Sequence, residues 1–347
     1  MLDNLLSRLG MAQTARRLGG AGATAEATWP YAFPISDGVA LISDPRAFAH
    51  DEGAYDAQYA NDADRPEVGR GAAALARDMG GDLDGPALEV GAGTGLLSVG
   101  LVAGGVYPSV VLTDPSPRFV EITRRKIARA RLDGPAVRYA VLRAEDLGRL
   151  PAGALSLVVL RSVLHHVLDV ERFVAEAARS LRPGGILTFQ EPCAEGNVLM
   201  GALAPFVPMV LEQEGRPLSP RHQAQLQLFI DTMRFYARRD VDKAAAEDKH
   251  LFRPDELMQL GRRFGLEVEF LPNTVFEDCV HGVPPRRRPA SFVTFFRDYL
   301  RYCMSFDTEL VDAFAECFAP HCAMVEELSQ TGDGPAMHGV FVCRRRR

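Results

Sequence analysis

The sequence is poor in the features that mark a secreted, membrane-spanning or nucleic-acid-gripping protein. Its six cysteines, Cys193, Cys279, Cys303, Cys317, Cys322 and Cys343, include no Cys-x-x-Cys pair. Zinc-ribbon spacing is therefore missing, and reduced, mostly buried thiols are expected. Cys317, His321 and Cys322 share one expected helix but have no second ligand pair, so no metal site is expected there. The chain begins Met1-Leu2-Asp3 without a basic stretch leading into an apolar one, so no secretory signal is expected. The most apolar run, 198–211, is about 14 residues and holds Pro205 and Pro208, whereas a bilayer span takes about 20. A buried helix or a lid is expected instead. Basic residues do not outnumber acidic ones: 39 Lys and Arg stand against 45 Asp and Glu, for a net charge of −6. That lacks the broad basic footprint of a nucleic-acid binder. The runs Arg286–Arg288 and Arg344–Arg347 read as a solvated loop and tail. A cytoplasmic protein with no membrane span is the expectation.

What is present is apolar content. At 47% hydrophobic and 24% charged residues, the chain affords a sizeable core. Its 347 residues suit about two domains, or one α/β domain with large additions. Residues 1–60 read as an N-terminal extension without a strong period. Leu2, Leu5, Leu6 and Leu9 there have helical spacing, and Gly19, Gly20 and Gly22 break the chain after them. Residues 61–196 read as the core. A helix is expected over 62–80, with Val68, Ala72, Leu75, Ala76 and Met79 on one face. From Pro86 short apolar strands alternate with helices. Strands are expected at 87–90, 109–113, 137–142, 155–163 and 186–190, and helices at 94–102, 116–132 and 169–181. Ser116 is placed to cap one helix with Pro117 in its first turn, and Asp169 to cap another. Residues 197–252 then read as a helical insertion. Residues 253–275 return to the core through a helix at 253–264 and a strand at 266–271. A second helical insertion follows at 276–335, and 336–347 hold the last strand, 338–343, with a basic tail. The pattern predicts a doubly wound α/β fold whose seven-stranded sheet is mainly parallel, with right-handed crossovers.

The most informative stretch is Leu88-Glu89-Val90-Gly91-Ala92-Gly93-Thr94-Gly95, set between a strand and a helix. Alternate glycines let the backbone turn sharply and let a ligand lie against it. The helix behind offers unpaired N–H groups. A nicotinamide site would want Gly-x-Gly-x-x-Gly, but here the third glycine comes one residue early and Leu96 takes its place. A phosphate-cradling P-loop would need Gly-Lys-Ser/Thr, which is absent. Glu89, two residues before the first glycine, suits a cationic ligand better than a pyrophosphate. S-adenosylmethionine, with an amino group and a sulfonium, is such a ligand. The next strand ends at Asp114, where a carboxylate can accept from both ribose hydroxyls.

Residues 86–191 resemble the class I S-adenosylmethionine-dependent methyltransferases, and among them the branch that acts on quinones and other small molecules. Four stretches carry the resemblance: the glycine turn, Thr113-Asp114-Pro115-Ser116-Pro117, Arg161-Ser162-Val163-Leu164-His165-His166-Val167-Leu168-Asp169, and Leu181-Arg182-Pro183-Gly184-Gly185-Ile186-Leu187. It fades after Glu191 and returns weakly from Phe252 to Leu266. The resemblance implies a Rossmann-like methyltransferase fold with S-adenosylmethionine as cofactor. It implies that Glu89, Gly91, Ala92, Gly93 and Gly95 surround the methionine part, that Asp114 holds the ribose and that Pro115 packs on the adenine. Where the family often has an aspartate for the adenine amino group, this chain has Arg143. Ala144 and Glu145 follow as candidate contacts, with Asp146 or a stacked Arg143 as alternatives.

Ligands of open α/β sheets sit at the carboxyl ends of the strands. That places Arg161, Ser162, His165, His166 and Glu191 near the transferable methyl. His165 or His166 is a candidate base, set against a purely structural pair. Arg161 is a candidate anchor for an acidic acceptor, or an ion-pair partner of Asp146 or Glu191. No Asn/Asp-Pro-Pro-Tyr/Phe tetrapeptide is present, which disfavours an enzyme acting on nucleobase amino groups. Phe292, Phe295, Phe296, Tyr299 and Tyr302 recur at helical spacing, and Phe206, Leu226, Leu228, Phe229, Met233 and Phe235 crowd the other insertion. These face an apolar acceptor pocket, ordinary packing or a homodimer interface. Tyr55 and Tyr59 are candidates to close over the donor. The leading expectation is methyl transfer to O, N or C of a small apolar or aromatic metabolite. The alternatives are an RNA- or protein-modifying methyltransferase and a non-catalytic donor-binding protein; a nicotinamide oxidoreductase is disfavoured by the early third glycine.

Overall fold

A computed structural model describes residues 33–46, 51–59, 65–284, 292–331 and 334–347. The expected helix on Leu2, Leu5, Leu6 and Leu9, the Arg286–Arg288 run and the side chains of Tyr59, Tyr302 and Cys303 lie outside the described residues.

The strands are β1 (Ile35–Ser36), β2 (Val39–Leu41), β3 (Ala87–Val90), β4 (Val110–Asp114), β5 (Val137–Val141), β6 (Leu155–Arg161), β7 (Leu181–Pro192), β8 (Leu266–Pro272) and β9 (His338–Arg345). They form one sheet in the order β1-β2-β5-β4-β3-β6-β7-β9-β8. From β5 to β8 this is the expected seven-stranded core. It is parallel from β5 to β7, and β9 runs antiparallel between β7 and β8. Two short strands extend it, because β2 pairs in parallel with β5. The extension drawn at 1–60 thus contributes part of the sheet.

Strands buried on both faces carry near-continuous apolar runs. In β6, Leu157 and Val159 face one core and Val158 and Leu160 the other. Helices cover both sides. On one side lie α2 (Glu67–Asp78), α3 (Ser98–Ala103) and α4 (Pro117–Arg129), through Leu75, Leu101 and Ile127. On the other lie α5 (Val170–Ser180) and α9 (Pro254–Arg263), through Phe173 and Leu257. Ser116 caps α4, its hydroxyl accepting from the Arg118 and Phe119 N–H groups, and the Asp169 side chain caps α5. Helix α2 approaches its neighbours backbone to backbone: a Cβ added at Gly71 would stand 1.7 Å from the Phe276 carbonyl oxygen. The short turn Phe276–Cys279 therefore belongs to the core, not to the second insertion as the boundary at 276 implied.

Other expectations shift as well. The helix expected from Thr94 starts at Ser98, because the glycine turn continues to Leu97. Strand β7 begins at Leu181, ahead of the expected 186. The first insertion is not helical throughout: α6 (Ala194–Leu203), α7 (Val207–Gln213) and α8 (Pro220–Ala237) are followed by irregular chain through 238–252.

The second insertion supplies α10 (Phe292–Asp298) and the long α11 (Thr308–Thr331). The two insertions pack on each other. Met200, Leu211, Phe229, Phe292, Phe296, Leu310 and Phe314 share one core separate from those of the sheet. Phe229 meets Phe306 and Phe314 edge-on, at centroid distances of 5.9 and 6.2 Å. Phe206, Leu228 and Phe235 remain exposed. Residues 194–213 together are long and apolar enough to cross a membrane by length and composition, but Met200, Ala204, Val207 and Leu211 turn one face into the helical core. Among the described residues, Cys193, Cys279, Cys322 and Cys343 are buried and form no disulfide.

Candidate active site

Strand β3 lies between β4 and β6, so the chain winds outward to β4 and β5 and then resumes on the other side of β3. The crevice at the carboxyl ends of β3 and β6 is thus the switch point where ligands of doubly wound sheets bind. The glycine turn occupies it. Gly91, Gly93 and Gly95 have φ of 73°, 53° and 83°, a region that side-chain-bearing residues rarely adopt. At Gly91 there is a second constraint, since a Cβ would fall 2.6 Å from the Val163 side chain. At Gly93 it would meet nothing within 4 Å, so the turn is open on that side.

Two buried carboxyl groups flank the turn. Asp114 is 5% exposed and accepts from the Gly93 N–H at 2.9 Å and the Ser116 N–H at 2.8 Å. Burial still pushes its pKa up to about 7, against the lowering effect of those two bonds. Each oxygen has two lone-pair sites, so Asp114 retains acceptor capacity for a ligand. Glu89, 2% exposed, accepts from the Ser98 hydroxyl at 2.7 Å, and burial pushes its pKa up to about 8. Thr123 donates to the Gly93 carbonyl oxygen at 3.1 Å, tying the turn to α4. Helix α1 (Glu52–Tyr59) lies beside α4. Its Glu52 accepts from the Ser116 hydroxyl at 3.0 Å, and Tyr55 sits edge-on to Phe119 at 5.6 Å.

The stretch after β5 is more committed than its sequence suggested. Arg143 donates to Asp146 at 2.9 Å, and its backbone N–H to the Ser43 hydroxyl. Asp146 is therefore taken up by Arg143, with Ser43 beside it. Ala144 is buried in the core, while Glu145 accepts from the Leu168 N–H at 3.2 Å. Pro115 is half-buried, and its carbonyl oxygen accepts from the Arg46 N–H. Half-buried Arg161 ends β6, and Ser162 follows with a φ of 54°.

The two histidines have a definite setting. Glu191, 1% exposed at the end of β7, accepts from the N–H groups of Val163 at 2.9 Å and Leu164 at 2.7 Å. Its other oxygen lies 2.5 Å from Nδ1 of His165. On the far side of that ring, Nε2 is 3.5 Å from Asp248, which also lies 3.3 Å from Nδ1 of His166. Burial works against a charged His165, yet Glu191 and Asp248 raise its pKa above the ordinary value; burial and the His165 charge lower that of His166. Asp248 comes from the irregular chain after α8, whose Lys249 N–H donates to the His165 carbonyl oxygen at 2.8 Å. The sequence reading missed Glu247 and Asp248, which lie in a charged run read as helix. Only the fold brings that run to the end of β6.

With this geometry in view, comparison with known proteins is informative. Residues 88–189 match a family model described as a methyltransferase domain. Over this stretch the chain is similar to that family. It is 38% identical over 101 residues to a ubiquinone biosynthesis O-methyltransferase of Rhizobium etli, covering 29% of this chain and 38% of that protein. It is 34% identical over 111 residues to a thiol S-methyltransferase of Homo sapiens, covering 31% and 43%. A reducing polyketide synthase of Preussia isomera is 37% identical over 124 residues, or 33% of this chain and 5% of the synthase. The chain thus spans less than half the length of each of these relatives. The matched stretch holds the glycine turn, Asp114 and the His165-His166 loop, and stops before the helical insertions.

Proposed function

We propose that this protein transfers a methyl group from S-adenosylmethionine to O, N or C of a small, apolar or aromatic acceptor. The observation that carries the reading is the cradle of Glu89, Gly91, Gly93, Gly95 and Asp114: an open turn between two buried carboxyl groups at the switch point. The ordinary ligand of buried carboxylates is a cation or a set of hydroxyl donors, and this donor offers both. Gly91, Ala92, Gly93 and Gly95 would hold its methionine part beside Glu89, and Asp114 its ribose. Pro115, Ala144 and Glu145 would border the adenine, with Arg143 held off by Asp146. Arg161 would stand between the donor and the acceptor side.

The donor supplies a methyl on a positively charged sulfur, so the leaving group is already good. The protein's task is to place a nucleophile in line behind that methyl and to exclude water. The bond from carbon to sulfur breaks as the new bond to the acceptor forms, and sulfur keeps the electron pair. A proton must leave only if the acceptor is a hydroxyl, a thiol or an ammonium. His165 and His166 would manage that proton, a reading supported by the packing of their loop's Val163 side chain on Gly91. The helical body, which reaches the same loop through Asp248, would act as the lid over the acceptor. The relatives named for O- and S-methyl transfer support testing hydroxyl and thiol acceptors first. The test is label transfer from methyl-labelled donor to a panel of phenols, thiols and amines. Labelled product with one class supports the reading, and none with any class, from protein that binds donor, removes catalysis from it.

A further inference from the structure

The loop after β6 and the chain after α8 bring together three groups whose joint chemistry is that of a metal centre. Nε2 of His165, Nδ1 of His166 and a carboxylate oxygen of Asp248 all lie within 4.8 Å of one another. Their separations from Asp248, 3.5 and 3.3 Å, are long for hydrogen bonds but suit ligands around one ion. Behind His165 stands the partner that metal-bound histidines usually have. Nδ1–H of His165 donates to Glu191 at 2.5 Å, which fixes the tautomer and turns the Nε2 lone pair toward Asp248. Glu191 is itself held by the Val163 and Leu164 N–H groups, so the ring is oriented from the backbone outward. The Glu247 carbonyl oxygen, 3.0 Å from Nδ1 of His166, is a second oxygen at the same place. The local charge is favourable: Glu191, Glu247 and Asp248 are acidic, and the nearby Lys249 ammonium is turned to the Ala246 and Glu247 carbonyl oxygens.

We infer that His165, His166 and Asp248 bind a divalent first-row transition ion, with Glu191 as the orienting partner of His165. Two imidazoles and one carboxylate leave coordination positions open, the pattern of zinc and non-haem iron sites that bind a further ligand. His166 would ligate through Nδ1, so its proton would move to Nε2 and its bond to the Glu247 carbonyl would be given up. The open positions would take a hydroxyl or thiol of the acceptor and lower its pKa, the proton leaving to solvent. That use rests on the methyl-transfer reading; the ion site does not.

The test titrates the full, tag-free chain, stripped with a chelator, with Zn2+ by calorimetry and with Co2+ by visible absorption. The wild type is expected to take one ion per chain, with Co2+ bands unlike those of the hydrated ion. His165→Ala and Asp248→Asn should each weaken binding at least tenfold. Glu191→Gln should weaken it by about 10- to 100-fold as an orienting partner. His250→Ala, on the same segment but bonded to the Val167 carbonyl oxygen, should change nothing. Asp248 is partly exposed, so its replacement leaves the core intact, and binding of S-adenosylhomocysteine by the same samples reports the fold and the donor site separately. Wild-type protein that takes up no ion, or variants that bind it as tightly as wild type, would overturn the assignment whatever the donor does.

Discussion

Single residues carry the chemistry, and two of them carry a pH dependence. Glu89 and Asp114 hold their protons to about pH 8 and 7, far above the usual carboxylic range, because burial disfavours the ions. The folded chain therefore binds more protons than the unfolded chain between the usual carboxylic range and those values. Their contribution to stability is full in acid and is lost as pH rises through 7 to 8. A cationic donor needs the ionised forms. Between pH 5.5 and 7.5, donor affinity should rise, and so should the increase in Tm that saturating donor gives. Fluorimetric melts across that range check this, and a donor-induced shift that shrinks with pH contradicts it. The residue scale was also where the sequence was most legible. The glycine turn, Asp114 and the Ser116 and Asp169 caps are local devices, written in adjacent residues. Arg143 was legible as a departure, but not its bond to Asp146. The clamp on His165 was not legible, because Glu191 and Asp248 reach it from separate elements.

At the scale of elements, close approaches set the cost of change. Helix α2 meets the Phe276 turn at Gly71 with no room for a side chain. Gly71→Ala should destabilise the protein by about 1–3 kcal/mol, the usual cost of overpacking, read as a lower urea midpoint. An unchanged midpoint would show that α2 and the turn separate freely. Ser116 caps α4 and also donates to Glu52 of α1. Ser116→Ala should cost about 1 kcal/mol for the cap while leaving donor binding unchanged, because alanine keeps the backbone N–H that holds Asp114. A variant that melts as wild type, or that loses donor affinity, would contradict this. Strands β3, β4 and β6 were readable from apolar runs bounded by turns. Strands β1 and β2 were not, since two or three residues cannot display a period. The irregular chain after α8 falls in a stretch that reads as helical because it shows no strand signal. In the fold its backbone is spent on holding the His165 loop.

At the scale of the whole molecule, the chain divides its work between a sheet with cores on both faces and a helical body with a core of its own. Phe229, fully buried at the centre of that body, tests the division. Phe229→Ala should cost about 3–5 kcal/mol there. Limited proteolysis should then cut within the insertions first, while S-adenosylhomocysteine still binds. Cleavage of the sheet at the same rate would show that the two bodies unfold as one. That the insertions are helical was legible from their apolar spacing. That Phe229, Phe292, Phe296 and Phe314 pack into one shared core was not, because periodicity gives a buried face without naming its partner. The measurement that bears most directly on the account is calorimetric titration of the protein with S-adenosylmethionine and S-adenosylhomocysteine, beside Asp114→Ala. The account predicts saturable binding of both at one site per chain, weakened at least tenfold by the substitution, a loss of about 1.4 kcal/mol or more. Binding of neither ligand, or binding indifferent to Asp114, would contradict it.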